Sequence, residues 1–304
     1  MKNLIDKIEI IKKDFKFENN KKDLIKLNFL NDVSATPVWI SKKTGLVFHN
    51  EPKSSQEVVK EWSERIFSKK MDPSQHFYTD NIPEMQARHF YALKYIDDYI
   101  KITNKKIFDF AFGQGGLLIS AAKYFNCKNI SGVEHSKNNI LNLIKLFKKE
   151  KIKVPKLENS SIELLNLKEK IDIGFLTWTL CNCIDPISVI SSIKNNIKKQ
   201  GYLVVAESSR ILVPFKKVIE NYFVSSKKIG HTHPWHWSVN SLLNIFKIFG
   251  FEPVKINRFH DVNDLVIIFQ NNGNFKQKIN FDNYKKVISF LKRWKLESKN
   301  YNFN

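Results

Sequence analysis

The sequence predicts an α/β fold: a mostly parallel sheet with an antiparallel last strand, flanked by helices and preceded by a small α+β cap. Three observations support it. The stretch from Lys105 to Phe125, KKIFDFAFGQGGLLISAAKYF, joins a strand-like run to a helix-like run through a glycine turn. The apolar run Ile130 to Val133 then ends in Glu134, about twenty residues after the glycines. Two later apolar runs, Phe251 to Ile256 and Leu265 to Phe269, read as an antiparallel pair that closes the sheet.

The remaining elements follow from local patterns. Helical spacing of apolar residues, with capping residues such as Ser238 and a stop at Gly250, indicates helices between short apolar strands. The predicted helices are Met85 to Ile100, Lys137 to Lys149, Ile187 to Ile197, Ser238 to Phe249 and Tyr284 to Leu296, and the further predicted strands are Val154 to Leu157 and Tyr202 to Ala206.

The glycine turn predicts a nucleotide-binding corner. A strand, a tight turn and a helix in this order bring backbone close to a ligand and present free N–H groups at the helix N-terminus. A dinucleotide fingerprint would read G-x-G-x-x-G. This chain instead reads D-x-A-x-G-x-G, from Asp109 through Ala111 and Gly113 to Gly115.

That pattern resembles the first motif of the class I, Rossmann-like, S-adenosylmethionine-dependent methyltransferases, an acidic residue followed by G-x-G-x-G, with Ala111 in place of the first glycine. The segments Lys170 to Pro186, Asn195 to Glu207 and His231 to Phe251 resemble later segments of the same family. They arrive in the family's order across residues 107–270. The resemblance implies a Rossmann-like methyltransferase sheet and an enzyme of class EC 2.1.1, of the small-molecule or sugar-methylating type.

The resemblance also implies S-adenosylmethionine as cofactor and a set of ligands for it. The glycine corner would lie near the methionine moiety, Glu134 would accept from both ribose hydroxyls, and Asn159 or Ser160 would accept from the adenine amino group. The predicted cofactor-binding residues are Asp109, Ala111, Gly113, Gln114, Gly115, Glu134, His135, Asn159, Ser160 and Thr177.

The segment HTHPWHW carries the predicted catalytic residues. The family resemblance places a histidine beside the substrate, so His233 is the first choice for the general base, followed by His231 and His236. Trp235 and Trp237 would wall the acceptor pocket. Two alternatives stay open: H-x-H-x-x-H could hold a metal, or the histidines could lie in a surface loop. No carboxylate or cysteine is close enough in sequence to complete a metal site, so no metal is predicted.

The residues before the cofactor domain form the predicted cap. TPVWISKKTGLVFHN, Thr36 to Asn50, alternates apolar and polar residues around a turn and predicts a β-hairpin. A helix is predicted from Glu57 to Phe67. By resemblance, the segment before the first strand of the domain covers the cofactor, which makes Gln75, His76, Phe77, Tyr78 and Arg88 candidate lid residues. The predicted organisation is a cap at 1–84, a methyltransferase domain at 85–272 and a helical tail at 273–304.

Composition limits the possible partners. The chain has 304 residues, 42% of them hydrophobic, and a formal net charge of +20. Nearly all of the positive charge is lysine, in pairs scattered along the sequence, whereas arginine is the preferred reader of phosphates and bases. This argues against nucleic acid as the substrate, and the family resemblance implies a small-molecule acceptor such as a sugar nucleotide or a surface-glycan precursor. No apolar run has the ~18 residues of a membrane span, and no signal-peptide core is visible, so the predicted location is the cytoplasm. The oligomeric state is left open.

Three cysteines, Cys127, Cys181 and Cys183, form no disulfide framework or zinc pattern. Cys181 and Cys183 could carry a redox or metal function, but the simpler interpretation is packing near the cofactor. Two rival functions also remain. Ala111, Asn159 and the Cys181-Asn182 replacement of the family's usual Glu-His pair would fit a binding subunit that has lost activity. The net charge would fit an RNA- or protein-directed methyltransferase.

Overall fold

The computed structural model describes residues 2–34, 36–49, 83–208, 211–213, 219–223, 233–257, 265–273, 278–298 and 300. The strands are β1 (Leu24–Lys26), β2 (Val38–Ser41), β3 (Val47–His49), β4 (Ile107–Phe110), β5 (Ile130–Glu134), β6 (Lys156–Asn159), β7 (Ile171–Thr177), β8 (Ile197–Glu207), β9 (Trp235–His236), β10 (Phe251–Ile256) and β11 (Leu265–Asn271). The helices are α1 (Lys2–Phe15), α2 (Pro83–Asp97), α3 (Gly116–Phe125), α4 (Lys137–Lys149), α5 (Pro186–Asn196), α6 (Glu220–Phe223), α7 (Val239–Lys247) and α8 (Tyr284–Ser298).

A seven-stranded sheet forms the centre of the fold, in the order β10-β11-β8-β7-β4-β5-β6. The pairs from β8 to β6 are parallel, whereas β11 runs antiparallel to both β8 and β10. All four residues of β4 are buried, as expected for a strand covered on both faces by helices. The predicted α/β sheet with an antiparallel closing pair is therefore confirmed.

Two strand boundaries differ from the sequence prediction. The third strand of the domain begins at Lys156 rather than at the predicted Val154, because its register is set by pairing with β5 from Ser131 to Glu134. β8 begins at Ile197 rather than at Tyr202, and its pairing with β7 has an irregularity between Ile171 and Ile173.

The cap is a second sheet of four strands in the order β1-β2-β3-β9. β2 and β3 form the predicted hairpin, and Gly45 closes its turn by donating its N–H to the Ser41 carbonyl at 2.9 Å. Gly45 has φ of +74°, and a Cβ there would lie 2.8 Å from the backbone oxygen of Asp282. A side chain at this position would therefore meet both backbone strain and a clash.

Two segments from later in the sequence, β9 and α8, pack with the cap. β9 lies within the predicted domain 85–272, but it pairs with β3 through Val47 and His236 and through Phe48 and Trp235. Likewise α8, from the predicted tail, packs Val287, Leu291 and Trp294 into a cluster of buried residues. The cap side of that cluster comprises Leu27, Leu30, Val33, Val38, Ile40 and Val47.

Aromatic side chains join the cap to the central sheet. Trp235 is buried, with the ring centroids of Phe15 and Phe17 at 5.0 and 4.9 Å. Its Nε1–H donates to the carbonyl of Cys183, just beyond β7, at 2.7 Å. Because only Pro234 separates His233 from β9, this packing holds His233 near the end of the large sheet. The predicted helix Glu57 to Phe67 and the residues Gln75, His76, Phe77 and Tyr78 lie outside the described residues. None of the helices in the described parts of the chain has the length and hydropathy of a membrane span.

Candidate active site

The predicted nucleotide corner lies where β4 passes into α3. Ala111, Gly113 and Gly115 all have positive φ, of 62°, 54° and 79°. Three positive φ angles at alternate positions turn the chain sharply between β4 and α3. A Cβ on Gly113 would have no neighbour within 4 Å, so open space faces this residue, whereas a Cβ on Gly115 would lie 2.3 Å from Leu143. Gly113 therefore borders the cavity side of the turn and Gly115 the packed side.

Ala111 occupies the left-handed region at a cost that glycine would not incur. The left-handed conformation strains an L-residue by about 1–2 kcal/mol. Glycine avoids this strain, but its greater freedom in the unfolded chain lowers the free energy of unfolding by about 0.4–1 kcal/mol. We therefore expect Ala111→Gly to raise the free energy of unfolding by about 0.5 kcal/mol, measured by urea denaturation. Ala121→Gly, inside α3, is the matched control and should destabilise the protein. Equal destabilisation by both changes would contradict the prediction.

Glu134 ends β5 and ties the glycine turn to the next loop. Its side chain is buried, and Oε2 accepts from the N–H of Gly113 at 2.9 Å while Oε1 accepts from the N–H of Ser136 at 2.9 Å. A carboxylate has about four acceptor positions. Glu134 can therefore hold the two loops together and still accept further hydrogen bonds from a ligand's hydroxyl groups.

Asp109 is a buried carboxyl in the middle of the sheet, 2% exposed. Burial, with a smaller contribution from the charge of Glu134, raises the pKa of Asp109 to about 8. Its Oδ1 is buried and has no hydrogen-bond partner among the described residues. A buried, unsatisfied acceptor costs roughly 1–3 kcal/mol, so this position suits a ligand that brings a donor or a positive charge.

The other predicted cofactor residues lie around the same edge of the sheet. Asn159 Nδ2 donates to the carbonyls of Glu134 and His135 at 3.0 and 2.8 Å, so its Oδ1 remains the acceptor atom of the amide. His135 Nδ1 lies 3.3 Å from Glu134 Oε1. Gln114 lies within the glycine turn, Ser160 follows β6, and Thr177 is the last residue of β7.

Trp178 turns the chain at the exit of β7. It has φ of 51°, and its N–H donates to the Ala206 carbonyl of β8 at 2.7 Å. From α2, the guanidinium of Arg88 lies 5.8 Å above the indole, and the ring of His89 meets its edge at 5.4 Å. Burial, then the charge of Arg88, lowers the pKa of His89 to about 4. The indole of Trp178 therefore contacts the Arg88 guanidinium and the neutral imidazole of His89.

Asn182 and His233 meet beside this turn. Asn182 lies in a single 3₁₀ turn after β7, and its Oδ1 is 2.7 Å from His233 Nδ1, while its Nδ2 donates to the Trp178 carbonyl at 3.2 Å. His233 is half-buried. The two residues are 51 positions apart in sequence, and the contact brings the histidine to the edge of the sheet where the ligand crevice of an open α/β fold lies.

His236 has a different environment from His233. It lies in β9, its Nε2 is 2.9 Å from the Nε2 of His49, and the rings of Tyr222 and Phe223 pack on it at 4.9 and 4.7 Å. Burial, then the charges of the neighbouring histidines His49 and His233, holds the pKa of His236 well below its usual value. This pair joins β3 to β9 within the cap sheet. The third candidate, His231, lies outside the described residues.

The two thiols beyond β7 are half-buried and protonated. Burial raises the pKa of Cys181 well above its usual value, with Glu207 as the next cause, and burial likewise raises that of Cys183. Thiolate is the form that binds metals and reacts, so these two thiols are poorly suited to either role. Among the residues that the structure describes, no three or more His, Cys, Asp or Glu side chains gather as a metal site would require.

Sequence reasoning did not anticipate two features of the site. It treated Asn182 as a departure from the family pattern, although the structure pairs Asn182 with His233. It also passed over His89, which edges Trp178. The helical spacing of α2 could have placed His89 on the buried face, but no local signal could have paired residues as distant as Asn182 and His233.

The comparisons agree with this geometry. Residues 102–250 match the family model described as a methyltransferase domain. The fold resembles magnesium protoporphyrin IX methyltransferase from Synechocystis PCC 6803 with bound S-adenosylhomocysteine, at 13% identity and a TM-score of 0.54, over 71% of this chain and 98% of that one. The same enzyme with bound S-adenosylmethionine gives 12% identity and a TM-score of 0.52, over 72% and 97% of the two chains.

A protein from Pyrococcus horikoshii OT3 is 14% identical, with a TM-score of 0.50, over 64% of this chain and 95% of that one. No curated protein matches the sequence. The structural likenesses show the fold, and the family match covers the glycine corner, Glu134 and the Trp178–Asn182 segment together. Residues 102–250 therefore form a methyltransferase domain that has the fold of S-adenosylmethionine-dependent methyltransferases.

Proposed function

We propose that the protein transfers a methyl group from S-adenosylmethionine to a small-molecule acceptor, with His233 as the general base. The observation that carries the proposal is the position of His233. The Asn182 contact holds it at the exit of β7, and β7 pairs directly with β4, the strand that leads into the glycine corner. The proposed donor site and the proposed base therefore lie beside the ends of two neighbouring strands, β4 and β7.

The donor residues fit the parts of S-adenosylmethionine. Glu134 would accept from the ribose hydroxyls, Asn159 Oδ1 would accept from the adenine amino group, and Gly113 opens onto space where the methionine moiety can approach backbone. Asp109 offers an unsatisfied carboxyl to the cationic end of that moiety. When bound, the donor supplies a methyl group on a sulfonium, and the C–S electron pair stays on sulfur as the acceptor's new bond forms.

The acceptor site would be bounded by Trp178, Arg88 and His233. An aromatic wall, a guanidinium and an imidazole suit a small polar acceptor that carries an ionisable hydroxyl or amine. The resemblance extends this to sugar nucleotides or precursors of surface glycans as the first acceptors to test. The protein's part in the chemistry is to position the acceptor and to receive its proton.

The test is direct. Purified protein is checked by mass spectrometry for co-purified S-adenosylmethionine or S-adenosylhomocysteine, and then titrated with each in a calorimeter. We expect micromolar binding, followed by donor-dependent methylation of at least one member of a panel of sugar nucleotides. Absence of binding by folded protein would favour a subunit that has lost activity. Methylation of RNA or protein alone would refute the small-molecule acceptor.

Donor binding should also release a proton from Asp109. Because the pKa of this carboxyl is raised to about 8, the group is mostly protonated near neutral pH, and a cation placed beside it would lower that pKa. We expect the binding enthalpy at about pH 7 to depend on the ionisation enthalpy of the buffer, by about one proton. Asp109→Asn should remove this dependence. Equal enthalpies for wild type in phosphate and Tris would show that Asp109 does not meet the donor's charge.

A further inference from the structure

We infer that Asn182 is a positioning residue that fixes the tautomer of His233, so that Nε2 carries the lone pair that receives the acceptor's proton. The inference rests on the proposed function of His233. It assigns a role to a residue that does not itself touch donor or acceptor, and that departs from the family's usual pattern at this position.

The hydrogen bonds determine which way the amide of Asn182 points. One end of the amide lies 3.2 Å from the backbone carbonyl of Trp178. A carbonyl oxygen can only accept, so the NH₂ group must face it. The other end of the amide, 2.7 Å from His233 Nδ1, is therefore the oxygen Oδ1.

The orientation of the amide in turn determines the proton on His233. Oδ1 can only accept, so His233 Nδ1 must carry the hydrogen that it donates. In the neutral imidazole the other nitrogen, Nε2, then has no hydrogen and carries the lone pair of the ring. Free imidazole has no such constraint, so the Trp178–Asn182–His233 chain selects the form of the ring that can act as a base through Nε2.

Hydrogen bonds to β8 hold the backbone at Trp178 and at the turn that carries Asn182. Trp178 is fixed by the hydrogen bond from its N–H to Ala206 of β8. The 3₁₀ turn that carries Asn182 is fixed by the buried carboxylate of Glu207, which accepts from the N–H groups of Leu180 and Cys181 at 2.7 and 3.3 Å. The acceptor oxygen presented to His233 therefore has a defined position relative to the sheet.

In the proposed reaction, the acceptor's proton passes first to His233 and then to solvent. As the acceptor heteroatom forms its bond to the methyl carbon, it gives up one proton to His233 Nε2. The ring becomes an imidazolium that still donates from Nδ1 to Asn182 Oδ1, and solvent later takes the proton from Nε2. Asn182 carries no charge, so it orients the ring without adding the electrostatic stabilisation that a carboxylate would give to the charged form.

NMR of selectively ¹⁵N-labelled histidine tests the inference without any acceptor. His233 is assigned by the loss of its signals in His233→Gln. In the wild type, long-range ¹H–¹⁵N correlations should show neutral His233 with its hydrogen on Nδ1. Asn182→Ala should move the population towards the Nε2–H form. Asn182→Asp retains an acceptor oxygen, so it should keep the wild-type tautomer and raise the pKa of His233 by about 1 unit through its negative charge.

The amide spectrum of each variant serves as the check on folding. A wild-type tautomer with the hydrogen on Nε2, or a His233 tautomer that Asn182→Ala leaves unchanged in a folded protein, would overturn the inference. Failure of the proposed function is a separate result, because it would show as absent donor binding or absent methylation by the wild type.

Discussion

Replacing Glu134 by alanine is expected to lower the affinity for S-adenosylmethionine by about 100-fold or more. Two losses combine in this variant. The ribose hydroxyls lose a charged acceptor, and hydrogen bonds to charged groups contribute about 1.5–3 kcal/mol each. The N–H groups of Gly113 and Ser136 also lose their partner, so the glycine turn is no longer held to the loop after β5. The measurement is calorimetric titration of wild type and variant.

The matched control for this prediction is Glu169→Ala. Glu169 is an exposed acid that pairs with Lys106 before β4, at the opposite end of the strand from the glycine corner. Its removal changes the net charge by the same amount and should leave donor affinity within about twofold, since surface ion pairs contribute little. If Glu134→Ala bound the donor as tightly as Glu169→Ala, the ribose assignment would be wrong.

Local chemistry explains why the donor corner could be predicted from sequence. A strand, a glycine turn and a helix are adjacent in the chain. The spacing from the glycines to Glu134 is the length of the crossover helix and the strand that follows it. Even the strain at Ala111 is visible from the motif, because the position normally held by glycine is one that requires positive φ. The fold of this corner could be predicted because the residues that determine it lie close together in the sequence.

The acceptor side depends on contacts between distant segments. His233 reaches Asn182 because β9 adds to the cap sheet beside β3, and the pairing of Phe48 with Trp235 spans more than half of the chain. A two-residue strand has too few residues for a periodic signal. The sequence could therefore name a histidine segment near the substrate, but not which histidine faces the crevice and which is buried in the cap.

Buried histidines should make the stability of the protein sensitive to acid. Burial lowers the pKa of His49 to about 4 and that of His236 well below its usual value. Below pH ~6.5 these two histidines bind protons in the unfolded chain but stay neutral in the folded protein. The free energy of unfolding therefore falls as the pH falls. The geometry agrees, because only one hydrogen can lie between two Nε2 atoms 2.9 Å apart. Asp14 and Asp109, whose pKa values burial raises to about 6 and about 8, act in the opposite direction.

The comparison of wild type with His236→Gln isolates one histidine from these opposing groups. Glutamine can donate to His49 Nε2 but does not titrate, so the variant should lose about 2 kcal/mol less stability than wild type between about pH 6.5 and pH 5. The measurement is urea unfolding across this range, and His49→Gln should flatten the dependence similarly. Any packing lost with the ring affects stability equally at every pH, and therefore leaves this difference unchanged. Parallel pH curves for wild type and His236→Gln would mean that His236 is protonated in the folded protein, and that β3 and β9 are not joined through a neutral histidine pair.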